Sequence, residues 1–259
     1  MSQGQTWSLP SPRASGRPAG VHVVDTEALA PTVRVWAAAL GSVEADFSAL
    51  LDLLDDNENA VAARRPDHKR PSYVLAHALR RLLLAECLPA EPGELVFTAR
   101  RGGCPEPISL GGDRWYHSLS HSGPFVAVAA ARDRPLGVDI EGPRSIRNAN
   151  TLAAALLPSG TDGAGGVAAT DAEILAAWVR WEALAKATGE GMLRRLHPVP
   201  DRLWANGNRW RVHSLSHDLR RDLHVDQHRD VHCDLPDLHQ DRGTDIRYGR
   251  AHLALALAD

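Results

Sequence analysis

From Pro135 the chain reads Leu136-Gly137-Val138-Asp139-Ile140-Glu141, with acidic residues alternating with apolar ones. An extended strand with one buried face satisfies this pattern, because successive side chains on a strand point to opposite sides. Asp139 and Glu141 then leave the strand on one face. Like charges a few ångströms apart resist ionising together, so the pair either binds a hard divalent cation or keeps a proton on one member. A second pattern narrows that choice. Across Asp171–Thr188 the residues Ile174, Leu175, Trp178, Trp181, Leu184 and Ala185 recur at three- and four-residue spacing, which predicts an amphipathic helix. Glu182 and Lys186 stand one turn apart on a single face of it. Three carboxylates beside a lysine suit Mg²⁺ held against a phosphorylated substrate, since Mg²⁺ takes one or two protein carboxylates and completes its octahedron with phosphate oxygens and water. Taken singly, neither pattern is distinctive. An Asp-x-Glu strand also makes a solvated edge, and a Glu–Lys pair one turn apart also does no more than support its helix by about 0.2–0.5 kcal/mol.

The rest of the chain fills in around these two elements. Strands are expected at residues 94–98, 115–119, 125–130 and 136–140, with the first strand starting at Val21. Helices are expected at 29–40 and 43–54, interrupted by Pro31 and Gly41, and a further helix follows the cap Asp55-Asp56-Asn57-Glu58. Strands segregated from helices make an α+β class. Residues 1–20 are rich in Ser, Pro, Gly and Arg and carry almost no apolar side chains, the composition of a disordered tail.

Composition limits the possible functions. At 259 residues the chain can bury a sizeable core, as one large domain or two subdomains. It has no run of eighteen apolar residues and no secretory h-region, so the expectation is no membrane and a cytoplasmic location. Cys87, Cys104 and Cys233 are odd in number and lack metal-type spacing, which fits a reducing compartment. A net charge of −3 leaves no footprint for nucleic acid. Residues 213–242 are atypical: His213, His217, His224, His228, His232 and His239 alternate with Asp and Arg. Three readings stand side by side here: a metal site on a helix, a solvated insertion, and a segment translated in a shifted frame. The first would make the chain a His-rich metal-binding protein.

Glycine-Val-Asp-Ile-Glu at 137–141, followed by Trp178-x-x-x-Glu182-Ala183-x-x-Lys186 and then Gly189 and Gly191, resembles the signature of the 4′-phosphopantetheinyl transferases of the surfactin-synthetase-activating type. His117-Ser118-Leu119-Ser120-His121-Ser122 is similar to the family's F-N-[IL]-S-H-S segment. Residues 73–83 resemble its first-half helix, and Arg101-Gly102-Gly103-Cys104-Pro105 its G-K-P turn. The resemblance spans residues 60–191, with a weaker return at 251–258. It implies two similar α+β halves related by a pseudo-twofold axis, at 21–134 and 135–259, with nucleotide and metal in the cleft between them. Asp139, Glu141 and Glu182 would hold Mg²⁺, Glu182 would be the base, Lys186, Ser120 and His121 would meet the phosphates of coenzyme A, and Lys69 and Arg70 would reach its 3′-phosphate. The implied reaction moves the 4′-phosphopantetheine arm of coenzyme A to a serine of an apo acyl, peptidyl or aryl carrier protein. A monomer serving polyketide or nonribosomal peptide synthesis, in secondary metabolism, fits that group. The chain departs from the family where Trp181 and Cys104 replace lysines and Pro71 stands near a usual arginine. Each lost charge-assisted bond would cost on the order of 1.5–3 kcal/mol of coenzyme A affinity. The alternative is a catalytically impaired relative that only binds coenzyme A or carrier protein.

Overall fold

Both faces of the central strands are apolar, so each face needs its own cover. The computed structural model describes residues 16–26, 29–98, 105–110, 112–158, 168–190, 195–215 and 251–259. In chain order its elements are β1 (His22–Val24), β2 (Val33–Ala39), α1 (Phe47–Asp52), α2 (Asp56–Ala63), α3 (Arg70–Cys87), β3 (Ile108–Leu110), β4 (Asp113–Ser122), β5 (Phe125–Arg132), β6 (Leu136–Glu141), α4 (Ala149–Leu156), α5 (Asp171–Thr188), β7 (Arg202–Ala205), β8 (Asn208–Ser214) and β9 (His252–Ala258). The fold is mixed α+β. One antiparallel sheet has the order β1-β2-β5-β4-β3 and the other β6-β9-β8-β7.

Side-chain alternation distributes these strands over three apolar layers. Val35 and Ala37 of β2, Ala127 and Ala129 of β5, Val138 of β6 and Leu255 of β9 meet in a layer between the two sheets. The opposite faces of β2 and β5, with Trp36, Val126 and Val128, bury Leu75, Leu79 and Leu83 of α3. On the far side Ala254 and Ala256 of β9 and Trp210 and Val212 of β8 lie under Val179, Ala183 and Leu184 of α5. The two long helices thus cover opposite outer faces, one on each sheet.

Helix α5 is defined at both ends. Thr170 caps it in a reciprocal box with Glu173, and Gly189 ends it at φ 73°. Its seat on β6 depends on Gly137: a Cβ there would lie 2.1 Å from the Ala183 carbonyl oxygen and 2.6 Å from the Ala187 nitrogen. Close approach of a helix backbone to a strand is the reason for a glycine in this strand.

Several expectations need correction. Residues 29–40 are not a helix; Val33–Ala39 is a strand paired with β5 along its whole length. Of 43–54 only Phe47–Asp52 is helical, starting where the Asp46 side chain accepts the Ser48 N–H. Residues 94–98 form no strand; a 3-10 turn at Pro92–Glu94 leads into irregular chain. The expected tail boundary at residue 20 falls late, since Ala19 already bridges Glu44. Hairpin β7–β8 was not expected, although its Asn206-Gly207 turn, with φ 47° and 74°, carries the strongest local hairpin signal. The helix beginning at Asp56 and the strands β4, β5 and β6 stand where the sequence places them, and β9 occupies the stretch where the resemblance returns at 251–258. Of the His-rich segment only His213, in β8, is described; the other five histidines lie outside the described residues, as do Cys104, Gly191 and Cys233. Among the described residues no helix is long and apolar enough to cross a membrane.

Candidate active site

Strand β6 is an edge of its sheet, bonded to β9 on one side only. Its alternation sends Leu136, Val138 and Ile140 into the layer between the sheets and leaves Gly137, Asp139 and Glu141 on the α5 side. Asp139 is 1 % exposed. Lys186 of α5 donates from Nζ to Asp139 Oδ1 at 2.6 Å and to the Val138 carbonyl at 3.2 Å, and stands 4.0 Å from Glu182 Oε2. Glu182 and Lys186 share a helix face, so one ammonium lies between carboxylates from two elements.

Strand β4 approaches the open edge of β6 from the other sheet. Ser118 Oγ accepts the Val138 N–H at 3.1 Å, Ser120 Oγ donates to Asp139 Oδ1 at 2.6 Å, and Ser122 Oγ donates to Glu141 Oε2 at 2.5 Å. Arg144 reaches the same Glu141 oxygen with Nε at 3.3 Å. Ser120, expected at a phosphate, is therefore a partner of Asp139. Ser118, Ser122 and Arg144 were missed, although three serines at alternate positions of one strand were a readable signal.

The cluster is short of positive charge. Burial and the neighbouring charge of Asp139 push the Glu182 carboxyl up to about 7, with a further push from Glu141, against the pull of Lys186. Asp139 Oδ2 is buried with no N–H donor on it, and the carboxyls of Asp139 and Glu182 lie within hydrogen-bond reach of one another, which also raises the Glu182 pKa. Hard oxygen donors and two buried carboxyls close enough to share a proton fit a hard divalent cation such as Mg²⁺ in place of that proton. Among the described residues no three metal-binding side chains are already gathered around a single point; Lys186 is the cation nearest Asp139.

His121 lies on the opposite face of β4, edge-on to Tyr73 of α3 at 6.5 Å between ring centroids. Burial, with help from the charges of His77, Arg65, Lys186 and Lys69, lowers its pKa below the ordinary imidazole value. His121 thus lies within the electrostatic reach of both Lys186 and Lys69. Lys69 precedes α3 without a capping side chain, and Ser72 Oγ ties the first turn of α3 to the Gly123 carbonyl at 2.5 Å. The first-turn donors are largely taken: the Arg70 N–H bonds the Pro66 carbonyl at 3.0 Å, the Tyr73 N–H bonds the Lys69 carbonyl at 3.3 Å, and Pro71 has none. Arg70 Nε is buried without a hydrogen-bond partner among the described residues. Pro71 sits in the first turn of α3, where a missing N–H costs nothing.

Trp181 corrects an expectation. It is 1 % exposed, packs with Leu156 of α4 and donates its indole N–H to the Arg195 carbonyl at 3.2 Å. The side chain at this position is core, and a lysine charge there would be buried, so the expected loss of a phosphate contact does not apply. No protein-family model matches the chain, and no curated protein matches it.

Proposed function

We propose that the chain is a Mg²⁺-dependent 4′-phosphopantetheinyl transferase, moving the phosphopantetheine arm of coenzyme A to a serine of an apo carrier protein. The observation that carries this reading is the meeting of Asp139, Glu141, Glu182 and Lys186, with no N–H donor on Asp139 Oδ2. Two sheets, each covered by one 18-residue helix, support an arrangement of two similar halves that divides near Pro135.

In the transfer the serine oxygen bonds to the β-phosphorus of coenzyme A. The bond from that phosphorus to the bridging oxygen breaks, and adenosine 3′,5′-bisphosphate leaves with the electron pair. Glu182 takes the serine proton directly or across one water. Lys186 neutralises phosphate oxygens as they enter beside Asp139. Asp139, Glu141 and Glu182 would hold Mg²⁺, which supplies charge neutralisation at the pyrophosphate. Catalysis of this kind is chiefly positioning and electrostatics. A single chain holding all these groups fits a monomer, and carriers of polyketide and nonribosomal peptide synthesis, in the cytoplasm, fit as partners.

The test is a mass measurement. Protein mixed with Mg²⁺, coenzyme A and an apo carrier adds the mass of phosphopantetheine to the carrier, and Glu182→Gln slows that transfer by about 10²–10⁴-fold. Unchanged mass across acyl, peptidyl and aryl carriers rejects the reading in favour of a relative that only binds; full activity in Glu182→Gln rejects the assigned base.

A further inference from the structure

Strands β4 and β6 belong to different sheets, yet three serines join them rung by rung. Ser118 takes the outward N–H of Val138, Ser120 the carboxylate of Asp139 and Ser122 the carboxylate of Glu141. On each acid the serine engages one oxygen only. Ser120 shares Oδ1 of Asp139 with Lys186, and Ser122 shares Oε2 of Glu141 with the Arg144 Nε. A hydroxyl has one proton to donate. Given to one carboxylate oxygen, it fixes the rotation of the carboxylate plane and so the direction of the other oxygen.

The two acids do not need this equally. Asp139 is buried and gripped by two donors at 2.6 Å. Glu141 is longer by one rotatable bond and lies at the rim. There the half-exposed Arg144 draws it outward, with Nε 3.3 Å from Oε2 and Nη2 3.5 Å from Oε1, so Oε1 has only this long, solvent-facing contact, while Ser122 draws Oε2 inward at 2.5 Å.

We propose that Ser122 is a positioning residue that holds Glu141 against the pull of Arg144, so that its remaining oxygen and Oδ2 of Asp139 are aimed at a divalent cation before the cation arrives. This rests on the reading of Asp139, Glu141 and Glu182 as cation ligands. Outer partners that orient a ligand are worth 10–100-fold in metal affinity, and Ser122 acts from that position.

The experiment uses the full chain without coenzyme A and titrates Mn²⁺, read as loss of the free-ion paramagnetic resonance signal. Threonine and valine have the same shape, so Ser122→Thr and Ser122→Val differ in the hydroxyl alone. Ser122→Val binds Mn²⁺ about tenfold more weakly than Ser122→Thr, which stays within about threefold of the unsubstituted chain. Ser118→Ala, which removes the rung that meets backbone, lowers the thermal midpoint and leaves Mn²⁺ affinity within about twofold. In the transfer assay Ser122→Val raises the Mg²⁺ concentration needed for half-maximal rate and leaves the rate at saturating Mg²⁺ unchanged. Equal Mn²⁺ affinity in the Thr and Val variants overturns the positioning role and leaves the cation site standing. An equal loss in Ser118→Ala also overturns it, because strand spacing would then be the cause. An unsubstituted chain that does not bind Mn²⁺ overturns the inference together with the proposed cation site.

Discussion

Glu58 and Glu182 are both glutamates with carboxyls largely withdrawn from water, and one titrates at about 2 while the other is pushed up to about 7. Burial raises both. Around Glu58 it is outweighed by the hydrogen bond to His77 and the charges of Arg80, His77 and Arg81. Arg80 Nη2 donates to Glu58 Oε1 at 2.5 Å, Arg81 Nε donates to Oε2 at 2.7 Å, and His77 Nδ1 lies 2.7 Å from Oε1. Arg81, fully buried, spends its remaining donors on Asp55 and the carbonyls of Pro92 and Leu95. The region joining α2 to α3 therefore has more donors than its carboxylate requires. The β6–α5 region has the reverse imbalance, with acids facing too few cations. A surplus of donors fixes an element in place, whereas a surplus of buried negative charge leaves room for a ligand to complete the balance.

The largest effect expected from breaking this contrast is at Glu58. Glu58→Ala leaves Arg80 and Arg81 buried without their main partner and lowers stability by about 3–5 kcal/mol, measured by urea unfolding. A loss below about 1 kcal/mol would show that the network is not structural. Next comes the pH dependence, in which the two glutamates have opposite signs. Glu58 has a folded pKa of about 2, below its unfolded value of 4.5, so its contribution is complete above 4.5 and disappears as pH falls toward 2. Glu182 has a folded value of about 7, above 4.5, so the folded chain binds the extra proton, and stability falls as pH rises from 4.5 to 7. Glu182→Gln removes that descending limb and leaves the acid limb intact; unfolding free energies between pH 3 and 8 with and without the substitution check both. The smallest effect is at Trp181. Trp181→Phe loses the bond to the Arg195 carbonyl and costs about 1 kcal/mol of stability, with coenzyme A binding by calorimetry unchanged. A clear change in coenzyme A affinity would place this side chain in the binding site after all.

The parts of the fold that could be read in the sequence are those where one periodicity has no rival. The alternation of β6 and the three-and-four spacing of α5 each admit one reading, and they carry Asp139, Glu141, Glu182 and Lys186 with them. Strand β2 was misread because Val33-Arg34-Val35-Trp36-Ala37-Ala38-Ala39 is apolar on both faces, and a short apolar run does not distinguish helix from strand. Its seven-residue pairing with β5 decides the matter, and pairing is not a local property. The same limit explains the serines. Each serine–carboxylate rung joins residues nineteen positions apart on strands of different sheets, so the strand spacing of Ser118, Ser120 and Ser122 was visible while their partners were not. Trp181 was misjudged for a related reason: a motif position names a residue type, but whether it faces the site or the core depends on α4 and the chain near Arg195.

Strand β6 ends its sheet with one row of backbone groups turned outward, and such a row invites a strand from another molecule. In this chain the hydroxyl of Ser118 has already taken the N–H of Val138, and the neighbouring serines keep β4 drawn up against the same edge. The residues that orient the acids therefore also occupy part of an edge on which another strand could pair. Replacing all three serines would uncover that row of backbone groups, and turbidity in concentrated solution reads the result.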